Sequence, residues 1–170
     1  MAQSADVQQP TISESFQSES RWVRRSFGLL VTLIGLWLLY SLMVVNVEFD
    51  DGYATIVNSQ YFLGISSDYI WSRAPMMAWL MMPAEWVANA LGLHPLDVGP
   101  HHALMVVLHF AYLFGVWHVL RARFGATWPT LIAFTAAIPS VVYFCYAPFI
   151  SHDLLPGLMT LTMLLLADRY

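Results

Sequence analysis

Long apolar runs, separated by short polar segments, dominate the chain. Residues 27–47 form 21 consecutive positions without a charged side chain. As a helix this run would rise about 31 Å, which matches the hydrocarbon thickness of a bilayer. Three further runs, residues 103–120, 126–147 and 154–167, are also apolar enough to be embedded. The pattern predicts an all-α membrane protein.

A fifth apolar run, residues 76–91, is ambiguous. It is short, it contains Pro83, and Glu85 lies near its middle. A charge at the bilayer centre costs roughly 2.5–3.5 kcal/mol on insertion scales. The run therefore fits an interfacial or re-entrant helix better than a fifth span.

The arginines support the same interpretation. If residues 76–91 do not span, six of the seven arginines fall on one side of the membrane, and Arg73 is on the other side. If they do span, the division is three against four. Because positive residues favour the cytoplasmic side, we predict four spans, a cytoplasmic N-terminus and a long outer loop over residues 48–100. The predicted location is the inner or plasma membrane.

The first 21 residues differ from the rest of the chain. They are polar, rich in Ser and Gln, and show no apolar periodicity, which predicts a disordered cytoplasmic tail. The apolar run that follows is longer than the 7–15 residues of a signal peptide core, so we expect it to remain as an anchor. Residues 22–170 then form one membrane module.

Composition supports membrane insertion and excludes one class of function. Hydrophobic residues make up 58% of the chain and charged residues only 11%, against about 25% charged in soluble domains. The chain has no lysine and no basic patch, so nucleic-acid binding is not expected. The lipid bilayer is the first predicted partner.

Two acidic clusters fall on the predicted outer face. Asp50 and Asp51 follow the first span, and His152 and Asp153 precede the fourth. Adjacent carboxylates beside a low-dielectric boundary suit general-base catalysis or cation binding. The simpler interpretation is that acids at helix ends lie in the headgroup layer.

Histidines at the second span offer a weaker signal for a metal. His101 and His102 open this span, and His109 lies on nearly the same helical face as His102. No HxH, HxxH or HExxH spacing is present, so hydrogen bonding between helices is the favoured role. We expect no cofactor, although Asp50 and Asp51 could bind a divalent cation.

Three motifs, in order along the chain, resemble one family. Residues 49–53 (FDDGY) follow the first span, and residues 71–75 (WSRAP) precede an apolar helix. The third motif has two parts: residues 120–125 (LRARFG) end the second span, and residues 151–153 (SHD) lead into the fourth. Together they resemble the N-terminal part of the GT-C fold integral-membrane glycosyltransferases, the polyprenyl- or dolichyl-phosphate-sugar-dependent mannosyltransferases and aminoarabinose transferases.

The resemblance implies a reaction and a set of site residues. Asp50 would be the catalytic base, with Asp51 beside it, for sugar transfer from a polyprenyl-phosphate donor to an acceptor on the extracytoplasmic face. Arg73 would hold the donor phosphate, because an arginine fork suits phosphate oxygens. Asp153, with His152 beside it, would contribute to substrate binding.

Chain length adds an expectation and an alternative. Members of this family have many more spans, so we expect the chain to be a fragment or a truncated relative of a transferase. The alternative is a small non-catalytic membrane subunit that packs against other membrane subunits in a larger complex.

Overall fold

The described chain is helical. The computed structural model describes residues 12–45, 50–71, 75–137, 150 and 154–167, and its side-chain description begins at Arg21 and omits Asp50 and Asp51. The helices are α1 (Ile12–Val44), α2 (Asp50–Phe62), α3 (Pro75–Ala90), α4 (Gly99–Phe124), α5 (Trp128–Ala137) and α6 (Leu154–Ala167). Every regular element within these residues is a helix, which confirms the predicted all-α class.

The first helix is longer than the predicted span. It begins at Ile12 and ends at Val44, so it overlaps the segment predicted to be disordered over residues 12–21. Extending an existing helix adds one hydrogen bond per residue and costs little, whereas starting one is expensive. No Gly or Pro interrupts residues 12–27, so the apolar helix continues into the polar segment. Residues 1–11 lie outside the described residues.

Helices α1 and α4 pack in opposite directions. Phe27 of α1 stacks on Trp117 of α4 with ring centroids 4.2 Å apart, and further along α1 the backbone at Gly35 approaches Phe110. Residue numbers thus rise along α1 as they fall along α4. The apolar core between α1, α4 and α5 consists of Val23, Ile34, Leu38, Val106, Leu113, Trp117, Leu131 and Phe134.

Helix α6 runs in the same direction as α4. Gly157 of α6 lies against Tyr112, and Leu161 lies against Gly115, so residue numbers rise together along the two helices. Helix α4 ends at Phe124, whereas Gly157, in the first turn of α6, lies against Tyr112 in the middle of α4.

Two of the helices are long and apolar enough to cross a membrane. They are α1 from Arg21 to Val44, and α4. Helix α6 is apolar but shorter, and residues 138–147 of the predicted third span lie outside the described residues. The first two predicted spans thus correspond to helices of sufficient length and apolarity, α1 and α4. The third and fourth spans stay predictions.

The predicted outer loop contains two helices where the sequence predicted one. Helix α3 corresponds to the predicted helix at 76–91, whereas α2 was not predicted. The polar residues of α2 gave no apolar stripe by which a helix could be recognised. Both helices pack near the beginning of α4, and α3 contributes no residue to the described core between α1, α4 and α5.

Close packing of α4 against α6 depends on Gly115. A methyl group on Gly115 would overlap the side chain of Leu161. We expect Gly115→Ala to destabilise the protein by roughly 1–3 kcal/mol, because α6 must shift or Leu161 must leave its rotamer. The measurement is unfolding in mixed micelles with a rising fraction of SDS.

Gly28→Ala is the matched control for this prediction. Gly28 is also within a helix, but nothing lies within 4 Å of an added methyl group there. Alanine should then stabilise by up to about 1 kcal/mol through its helix propensity. Equal effects of the two substitutions would show that α4 and α6 do not pack closely at Gly115.

Candidate functional site at the acidic end

We call one end of the bundle the acidic end; it is formed by α2, α3 and the first turns of α4 and α6. A single apolar cluster lies at its centre. The cluster consists of Ile56, Met77, Met81, Val98, Met105, Ile150 and Leu154. Each segment that carries a predicted site residue contributes a member to this cluster.

The predicted catalytic residues open α2. Asp50 and Asp51 are its first two residues, and the buried Ile56 follows within the next two turns. Their backbone is described, whereas their carboxylates lie outside the described part of the chain. An acidic residue in the first turn of a helix is favoured by the helix dipole.

The predicted substrate-binding residues lie outside the described residues. Arg73 is between Trp71 and Pro75, and His152 and Asp153 are between Ile150 and Leu154. In the sequence, Arg73 is four residues before Met77 of the cluster, and His152 and Asp153 are each within two residues of Leu154. The fold therefore brings the flanks of all three predicted segments to one place.

Helix α2 carries a buried polar face that sequence analysis missed. Asn58 is fully buried: its Oδ1 accepts from Ile70 N at 2.7 Å, and its Nδ2 donates to Ile70 O at 3.2 Å. Ser59 Oγ donates to Ile56 O at 2.7 Å, and Gln60 Nε2 donates to the carbonyl of Pro95. The bonds of Asn58 and Gln60 connect α2 to the loops on both sides of α3.

Glu85 and His101 form a buried pair between α3 and α4. Glu85 Oε2 and His101 Nε2 are 3.2 Å apart, and the two residues are 3% and 0% exposed. The atoms are within ion-pair distance, although their geometry is not that of a hydrogen bond. The other ring nitrogen, His101 Nδ1, is 3.3 Å from the carbonyl of Asp97.

The second contact places His101 between two polar groups. A carbonyl oxygen only accepts, so Nδ1 is the donor in its contact with Asp97. Nε2, on the other side of the ring, faces Glu85, so each of these two buried polar groups has the other as its neighbour.

Two more histidines are buried along α4. His109 Nδ1 donates to Met105 O at 2.7 Å, and His102 is buried beside His101. Among the residues that the structure describes, no group of three or more His, Cys, Asp or Glu side chains is placed to hold a metal ion. Glu85 in an apolar run and a His pair at a helix start were the available sequence signals for the buried pair.

The comparisons with known proteins add no relative. The chain matches no protein-family model, no curated protein and no solved structure. The resemblance to the GT-C transferases therefore depends on the three sequence motifs.

Proposed function

We propose that the chain belongs to a membrane glycosyltransferase that transfers a sugar from a polyprenyl-phosphate donor to an acceptor on the extracytoplasmic face. The observation that carries the proposal is the apolar cluster at the acidic end. Residues near Asp50, Arg73 and Asp153 pack together there although they are distant in sequence. A transferase needs its base, its phosphate-binding group and its second acid within one site.

In this reaction Asp50 takes the proton from the acceptor. The acceptor atom then forms a bond to the anomeric carbon of the sugar, and the bond from that carbon to the phosphate oxygen breaks. The lipid phosphate leaves with the electron pair, and Arg73 stabilises its charge. A single displacement of this kind inverts the anomeric carbon.

The proposed topology has four spans, a cytoplasmic N-terminus and the acidic end outside. It is supported by the positions of polar residues along α4. His101 and Arg121 are twenty residues apart on this helix, about 30 Å, which is one hydrocarbon thickness. Arg24 and Arg25 of α1 lie at the same end of the bundle as Arg121, because α1 and α4 are antiparallel.

The exposed surface of α1 also supports insertion. Large apolar side chains cover this surface, and a continuous exposed apolar surface is typical of contact with lipid or with another protein. These side chains are Leu29, Leu33, Leu36, Trp37, Leu39, Tyr40 and Met43.

One observation favours the alternative of a non-catalytic subunit. Helix α3 exposes Trp79 at 54% and Trp86 at 66%, and aromatic residues are common at the centre of protein interfaces. An assay of sugar transfer with Asp50→Asn decides between the two functions, because only the transferase requires a base at this position.

Cysteine labelling tests the topology. In a Cys145→Ser background, we expect Ser67→Cys to react with an impermeant thiol reagent in intact cells and Ala122→Cys to react only after permeabilisation. Both positions are exposed in the structure, so access depends on the side of the membrane. Labelling of Ala122→Cys in intact cells would mean that residues 76–91 cross the membrane, and the proposed outer loop would be wrong.

A further inference from the structure

A cavity opens at the other end of the bundle, between α1, α4 and α6. We call this the arginine end. The cavity has a volume of about 580 Å³ and is lined by Arg24, Phe27, Phe114, Gly115, Trp117, His118, Arg121 and Leu165. Two of the described lining residues are permanently cationic and none of them is acidic. The described walls of the cavity therefore carry two positive charges and no negative charge.

Aromatic rings in contact with one another form part of the walls of this cavity. Phe27 stacks on Trp117 with an interplanar angle of 13°, and it meets Phe114 edge to face with centroids 6.1 Å apart. Phe27 is also the first residue of the uncharged run. Arg24 and Arg121 thus adjoin the apolar walls at the point where the sequence of α1 changes from polar to apolar. In an inserted helix this point lies at the depth of the lipid headgroups.

We propose that this cavity binds the phosphate of an anionic phospholipid. The guanidinium groups of Arg24 and Arg121 would bind the phosphate oxygens, because an arginine fork matches their geometry. The acyl chains would lie against Phe114 and Leu165. Free phosphate could bind the same arginines, but it has no apolar group that could contact the apolar walls. The inference rests on the proposed insertion in a membrane and does not depend on the transfer reaction.

Binding of phosphatidylglycerol to the purified protein in detergent tests the site. Native mass spectrometry or lipid-induced thermal stabilisation would give the apparent affinity, with phosphatidylcholine and inorganic phosphate as comparison ligands. We expect Arg24→Gln and Arg121→Gln each to weaken phosphatidylglycerol binding about tenfold, since each loses a charge-assisted contact. Arg24→Lys and Arg121→Lys should recover part of the loss, because they keep the charge without the fork.

The chain supplies matched controls. Arg25 is next to Arg24 but lies over the ring of Trp22. Arg123 is two residues after Arg121. Arg25 and Arg123 are not among the residues that line the cavity. Arg25→Gln and Arg123→Gln should change affinity less than about twofold. Equal losses in the controls would overturn the site, because binding would then follow net charge. Inorganic phosphate binding as strongly as the lipid would overturn the assignment of a phospholipid.

Discussion

Asp50→Asn is expected to abolish measurable sugar transfer while leaving membrane insertion and abundance unchanged. Asp50 opens α2 at the acidic end, and an amide of the same shape cannot accept a proton. Loss of a general base typically lowers the rate 10²–10⁴-fold, roughly 3–5 kcal/mol in the activation barrier. The helix start itself should survive, because Asn is also favoured there.

The assay follows sugar transfer from a polyprenyl-phosphate donor in membrane fractions that contain the full-length protein at equal abundance. Asp51→Asn is the matched control: it removes the same charge at the next residue, and it should cost less if Asp51 only supports its neighbour. Activity near that of the parent in Asp50→Asn would contradict the transferase mechanism and favour the non-catalytic subunit. The phospholipid site is independent of this result, because lipid binding is measured without transfer.

Glu85→Ala is expected to give the largest loss of stability. It leaves His101 buried opposite a cavity at a position where both partners are nearly inaccessible to solvent. Removing one member of a buried ion pair typically costs about 3–5 kcal/mol, because the remaining group loses its partner without regaining water. The measurement is the free energy of unfolding in mixed micelles with SDS.

A double-mutant cycle distinguishes the loss of the Glu85–His101 interaction from the cost of the cavity that each truncation leaves. His101→Ala should cost a similar amount, and the double variant should be no less stable than either single variant, because the unpaired group is then gone. Asp68→Ala removes an acid from an exposed loop and should stay within about 0.5 kcal/mol of the parent. Additive losses in the double variant would show that Glu85 and His101 do not interact.

The apolar pattern of the sequence predicted the helices whose residues are mainly apolar. Helices α1, α3, α4, α5 and α6 fall within or across predicted apolar runs. Helix α2 was missed because much of its buried surface is polar: Asn58 and Gln60 donate to carbonyls of neighbouring loops, and Ser59 donates to the carbonyl of Ile56 in the same helix. A pattern that assumes apolar residues inside and polar residues outside cannot identify such a helix.

The candidate site could be predicted only as separate segments. Asp50, Arg73 and Asp153 were selected by motif and by predicted side of the membrane. The sequence contains no measure of how these segments approach one another in the fold. Their flanks meet because Ile56, Met77 and Leu154 pack into one cluster, and that packing depends on how α2, α3 and α6 are rotated about their own axes.

The sequence by itself determined the helical class, the apolar segments and the unequal distribution of arginines, because each is a property of neighbouring residues or a count along the chain. Only the tertiary structure decided that α6 runs parallel to α4, that Glu85 faces His101, and that Arg24 and Arg121 share a cavity. These relations require a fixed rotation and separation of helices. Such geometry arises when side chains of different helices fit together, as Leu161 fits against Gly115.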